Sequence, residues 1–168
     1  MPTLLAVAAL LIAAPPASAP RLDGKAAFEA MKRLEGSWKA EGKETSYLTL
    51  RVIASGTAVL ETITGTDRTK IVMTSIYSLD GAELVMSHYG IDGNQPHLKL
   101  KSMEGGKELH FETTGVTNLA NPAASHVAAV ALVVKDSDHL TQEWENLTAG
   151  KSTKIVFAFQ REYLDTLK

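Results

Sequence analysis

The sequence contains no cysteine. That absence excludes disulfides, thiolate zinc sites, iron–sulfur clusters, cysteine nucleophiles and a lipidated cysteine together. Net charge is nearly absent too: 17 Lys and Arg face 19 Asp and Glu, a formal −2, and no basic run occurs. A general nucleic-acid binder carries a basic stripe, so no nucleic-acid partner is expected. Past residue 14 no apolar stretch approaches the ~20 residues that cross a bilayer as a helix. The common catalytic signatures are missing as well. There is no Gly-x-Ser-x-Gly elbow, no His-x-His and no His-Glu-x-x-His, so neither a catalytic residue nor a metal ligand is assigned. No cofactor motif is present.

What is there is an ordinary globular composition, 45% apolar and 21% charged over 168 residues. That length predicts one domain, large enough to bury about 70% of the surface of its unfolded chain. Residues 4–14 form an apolar run ended by Pro15-Pro16 and followed by Ala17-Ser18-Ala19. This order is that of a signal peptide over residues 1–19, with the barrel domain over 20–168 and a periplasmic or secreted destination. The stretch before the run lacks Lys and Arg, and Pro20 follows the small-residue triplet, both departures from the usual pattern. Once the leader is removed, no membrane insertion is expected.

The domain opens on a helix. Asp23 can cap it, Phe28, Met31 and Leu34 recur at helical spacing, and Gly36 stops it. The period then changes to 2 and stays there. It predicts strands at 37–43, 46–52, 58–64, 69–78, 83–89, 97–102, 108–114, 126–134, 140–146 and 153–161. They are separated by turn signals such as Asp80-Gly81, Gly105-Gly106 and Ala149-Gly150. Some ten strands at about ten-residue spacing, with no helix between them, predict an up-and-down antiparallel β-barrel, because closure removes the exposed edges. The longest irregular stretch, 115–125, is read as a loop at a barrel mouth.

Leu34-Glu35-Gly36-Ser37-Trp38 is a helix running into Gly-x-Trp, and Arg161 ends the last strand. This combination resembles the calycins, the superfamily of lipocalins and fatty-acid-binding proteins. The resemblance implies a barrel floor in which Arg161 lies across the Trp38 ring, a structural pair and not a binding one. The stretches from Ser87 to Pro96, Gly115-Val116-Thr117-Asn118 and Glu143-Trp144 resemble a group of small exported bacterial lipocalin-like proteins with HYxxxGNQP and GxTN motifs and no established activity.

Among polar residues, His88 shares a strand face with Leu84 and Met86, so it should point inward with them. Trp144 shares a face with Leu140. Asn94, Gln95 and Asn118 sit on connections, and His126 opens an apolar strand. These six are the candidate ligand-binding residues, though turn chemistry explains Asn94 and Gln95 equally well. His97, His110 and His139 alternate outward. The expected walls of a cavity are Leu84, Met86, Leu98, Leu100, Phe111, Val130, Leu132, Trp144, Phe157 and Phe159. The leading expectation is a non-enzymatic barrel that binds a small apolar or amphipathic ligand. Three alternatives stay open: an isomerase or hydrolase with His88 as acid–base, a haem-binding barrel, and a barrel filled by its own side chains.

Overall fold

The computed structural model describes residues 23–42 and 46–163. The leader read at residues 1–19 lies outside the described residues. Helix α1 (Gly24–Lys32) precedes ten strands: β1 (Gly36–Ala40), β2 (Tyr47–Ile53), β3 (Ala58–Thr64), β4 (Ile71–Asp80), β5 (Glu83–Tyr89), β6 (Gln95–Glu104), β7 (Glu108–Thr117), β8 (His126–Val134), β9 (His139–Thr148) and β10 (Lys151–Glu162). Each strand pairs antiparallel with its sequence neighbours, and β1 pairs with both β2 and β10 to close the barrel. Among the described residues no helix is long and apolar enough to cross a membrane.

Helix α1 is held at both ends. The Asp23 carboxylate accepts from the amides of Lys25 and Ala26 at 3.0 and 3.1 Å, satisfying two donors that the helix itself leaves open. Its Ala27, Phe28 and Met31 are buried, as is Leu34 just beyond it. Gly24 packs so closely on the β4–β5 turn that a Cβ there would stand 2.2 Å from the Ala82 carbonyl oxygen. The helix therefore covers one end of the barrel.

That end is a sealed floor. Trp38 is fully buried, donates from Nε1 to the Leu34 carbonyl at 3.1 Å, and pairs across the ladder with Arg161. The Arg161 guanidinium lies 4.0 Å from the Trp38 ring centroid and donates to the carbonyls of Glu35 and Ser137, each at 2.8 Å. One side chain thus ties together the helix exit, the first strand and the β8–β9 turn. Gly36 is required here twice over: its φ is +145°, and a Cβ would lie 2.5 Å from an Arg161 nitrogen.

Above the floor the interior is filled. Leu48, Leu50, Leu84, Leu98, Leu109 and Phe111 are each 3% exposed or less, and Tyr77 meets Phe111 edge-on at 5.7 Å. Of the walls expected for a cavity, Leu84, Met86, Leu98, Leu100, Phe111, Val130, Leu132 and Phe159 belong to this packed core. Of that set, Trp144 and Phe157 line the cavity at the opposite end. Large side chains from facing strands fill this part of the barrel.

Several strands run further than the sequence reading, β6 and β7 among them. β6 starts at Gln95 and β7 continues to Thr117, because Gln95, Pro96 and His97 pair with Thr117, Val116 and Gly115. The irregular loop is therefore 118–125. The β5–β6 ladder, by contrast, covers only residues 85–87 opposite 97–99. Beyond it the two strands part.

Candidate functional site

The cavity lies where β5 and β6 part, at the end away from the floor. It holds about 300 Å³ and is lined by apolar Met73, Pro96, Val127, Trp144, Ile155 and Phe157. His88, Asp92, Asn94, Asn146 and Thr153 add polar groups around them. Ile155 is 47% exposed, so solvent reaches the cavity beside β10. Across from that stretch of β10, β1 has already ended at Ala40.

His88 is 3% exposed and stacks obliquely on Trp144, ring centroids 4.7 Å apart. Its Nδ1 meets the Ser75 hydroxyl at 3.1 Å. Gly90 crosses the other ring nitrogen closely enough that a Cβ would sit 2.9 Å from Nε2. Burial pushes the His88 imidazole down to about 4, with Asp92 opposing the shift, so the ring is neutral at pH 7.

Behind His88 runs a buried polar chain. Ser75 donates to Glu61 Oε1 at 3.3 Å. Tyr77 and Gln142 both donate to Glu61 Oε2, at 3.1 and 2.8 Å. Trp144 Nε1 donates to Gln142 Oε1 at 3.2 Å. Glu61 is 1% exposed, and burial raises its pKa to about 7 against the lowering effect of its three donors. Burial and the nearby Glu61 together push Tyr77 well above its ordinary value. The order is carboxylate, hydroxyl, imidazole. A serine hydrolase needs the hydroxyl at the substrate, whereas Ser75 is 1% exposed behind the imidazole and does not line the cavity.

The sequence candidates divide. His88, Asn94 and Trp144 line the cavity; Gln95, Asn118 and His126 do not. Asn94 donates to the Ser125 carbonyl at 2.7 Å, and Asn118 donates to the Gly93 carbonyl at 2.7 Å. Ser125 donates to Asp92 at 3.0 Å, while Gln95 donates to Gly93 and accepts from Thr117, each at 3.0 Å. The HYxxxGNQP and GxTN stretches are thus the two halves of one clasp holding the 118–125 loop over the β5–β6 turn. His126 is spent on its own turn, Nδ1 lying 3.0 Å from the Ala124 carbonyl. The sequence offers Glu61 and Glu143 as a possible carboxylate pair, with nothing to place them together, and passes over Ser75, Tyr77 and Gln142. Their alternation was readable: Glu61 shares a face with Val59 and Ile63, and Gln142 lies between inward Leu140 and Trp144.

The clasp predicts a stability effect. Asn118 sits at φ +55°, where a Cβ is strained. Asn118→Ala loses its hydrogen bond and the tolerance of this backbone region that a short polar side chain confers, for a cost of about 2 kcal/mol. Asn118→Gly loses the bond but relieves the Cβ strain, and costs about 1 kcal/mol or less. Urea denaturation midpoints read both.

Among the described residues no group of three His, Asp or Glu could hold a metal ion. No protein-family model matches the sequence. No curated protein matches it either. One solved structure that it resembles is described as the crystal structure of Rv2717c from M. tuberculosis. The likeness covers 82% of this chain and 98% of that one, at 15% sequence identity and a TM-score of 0.53. At that identity it speaks for the barrel fold alone.

Proposed function

We propose that this chain is an exported, lipocalin-like binding protein that holds one small, mainly apolar molecule between Trp144, Phe157, Val127 and His88. The observation that carries this reading is the cavity of about 300 Å³ in a barrel whose remaining interior is packed. Its size and its apolar lining with a few placed polar groups are those of small-molecule sites. The calycin resemblance agrees with a closed floor at Trp38 and Arg161 and a ligand at the opposite end. Export rests on the leader pattern at residues 1–19.

An acid–base enzyme is the second reading, favoured by the buried chain that ends on His88. A neutral imidazole of low basicity is a weak general base at pH 7, which places binding first.

The chain has two tryptophans, and only Trp144 lines the cavity. Titration with an apolar probe such as indene should change the Trp144 emission saturably, and Trp144→Phe should abolish the change. A non-saturating response, or one retained in Trp144→Phe, contradicts the reading. A haem titration run alongside discriminates further: a Soret band that His88→Ala removes would replace the apolar ligand with haem.

A further inference from the structure

We infer that His88 Nε2 reads the hydrogen-bonding character of the ligand, and that the protonation of Glu61, relayed through Ser75, sets whether it accepts or donates. This rests on the proposed binding site and names the ligand class it selects. With Glu61 ionised, the site takes a molecule bearing an N–H or O–H, such as an indole or a phenol. With Glu61 protonated, it takes a carbonyl or another acceptor.

The direction of the chain is fixed at its far end. An indole N–H can only donate, so Gln142 must present its oxygen to Trp144 and its nitrogen to Glu61. Oε2 of Glu61 is then filled by the Gln142 and Tyr77 donors. Ionised Glu61 accepts the Ser75 hydroxyl proton on Oε1. Ser75 has one proton, so it must accept from His88, whose Nδ1 carries the hydrogen and whose Nε2 turns a lone pair to the cavity.

Protonation reverses Ser75 and His88. With Oε2 filled, the new proton belongs on Oε1, facing Ser75. The balance is one proton taken up: Nε2 gains it from the cavity, Nδ1 passes its proton to Ser75, and Ser75 passes its own to Oε1. His88 is left neutral with an N–H pointing at the ligand.

The groups packed around Glu61 leave it as the titrating member. Ser75 and Tyr77 reach it from β4 and Gln142 from β9, while on β2 the residue opposite is apolar Leu50. Tyr77 keeps its proton, held far above neutrality. His88 stays uncharged down to about pH 4, with Asp92 the charge that faces it. Glu61 changes state near pH 7.

Imidazole nitrogen NMR of the full chain reads the tautomer directly. Wild type should show His88 protonated on Nδ1 at pH 9 and on Nε2 at pH 5.5, with a midpoint near 7. Glu61→Gln, whose amide donates to Ser75 as the protonated acid does, should show Nε2–H throughout. One unchanged tautomer at both pH values and in Glu61→Gln overturns the relay.

The ligand arm uses indole, a donor; indene, its isostere without the N–H; and acetophenone, an acceptor. At pH 9 wild type should bind indole about tenfold tighter than indene, the effect of one buried hydrogen bond. Glu61→Gln should lose that preference and gain one for acetophenone. Gly90→Ala, which sets a methyl 2.9 Å from Nε2, should lose both preferences while the tautomer stays as in wild type. Equal binding of all three probes overturns this inference and leaves the binding site standing. Binding of none overturns the proposed function itself.

Discussion

Glu61→Gln should turn a nearly flat stability–pH profile into a sloped one. Two buried groups set this expectation, and their signs oppose. The folded pKa of His88 is depressed from 6.5 to about 4. Its contribution is present above 6.5 and is lost as pH falls through 4, because the unfolded chain takes the proton first. The folded pKa of Glu61 is raised from 4.5 to about 7. Its contribution is present below 4.5 and is lost as pH rises through 7. Each shift corresponds to at most about 3 kcal/mol. Between pH 4.5 and 6.5 the two slopes cancel. Two carboxylates shifted the opposite way, the lowered Asp67 and Asp136, start from 3.8 and so act below this window. Removing the Glu61 titration leaves the His88 slope alone. The variant should then gain up to about 3 kcal/mol of stability between pH 4 and 6.5, while wild type stays level. Urea denaturation at half-unit pH steps reads the two curves, and parallel curves would contradict the opposing pair.

Trp38→Ala should be among the most damaging single substitutions in the chain. The indole is fully buried beneath the barrel, and its removal leaves a cavity the surrounding strands cannot close. Such truncations cost about 3–5 kcal/mol. The Arg161 guanidinium loses its aromatic face, and the Leu34 carbonyl loses a donor. A double-mutant cycle with Arg161→Met should return a coupling of about 0.5–2 kcal/mol, the range of a desolvated cation–π contact. A loss below about 1 kcal/mol for Trp38→Ala would contradict a floor built on this ring.

The strand plan was legible because it depends on local signals. Apolar alternation, Asp-Gly and Gly-Gly turns and the Asp23 cap each act within a few residues, and each element they predicted is present. Residues 95–96 and 115–117 escaped because their strand character comes from pairing with the facing strand. A Gln-Pro step and a Gly-Val-Thr step read as turn chemistry until they are laid side by side. The site was legible in part for the same reason. His88 and Trp144 could be aimed inward by counting along their own strands. The partners of His88 could not, since Ser75, Glu61 and Gln142 come from β4, β3 and β9, and Glu61 and Gln142 are 81 residues apart. Asn94, Gln95 and Asn118 had the right residue types for ligand contact. Only the fold shows the carbonyls of Gly93 and Ser125 within their reach.

The central claim is that the barrel keeps one cavity for a small apolar guest beside His88 and Trp144. Chemical-shift mapping of the labelled full chain during an indene titration tests it most directly. The account predicts saturable shifts at the Met73 methyl, the Val127 methyls, the Gly90 amide and the Trp144 indole N–H, with Trp38 and Arg161 unmoved. Shifts that never saturate, or that gather at the Trp38 floor, would contradict it.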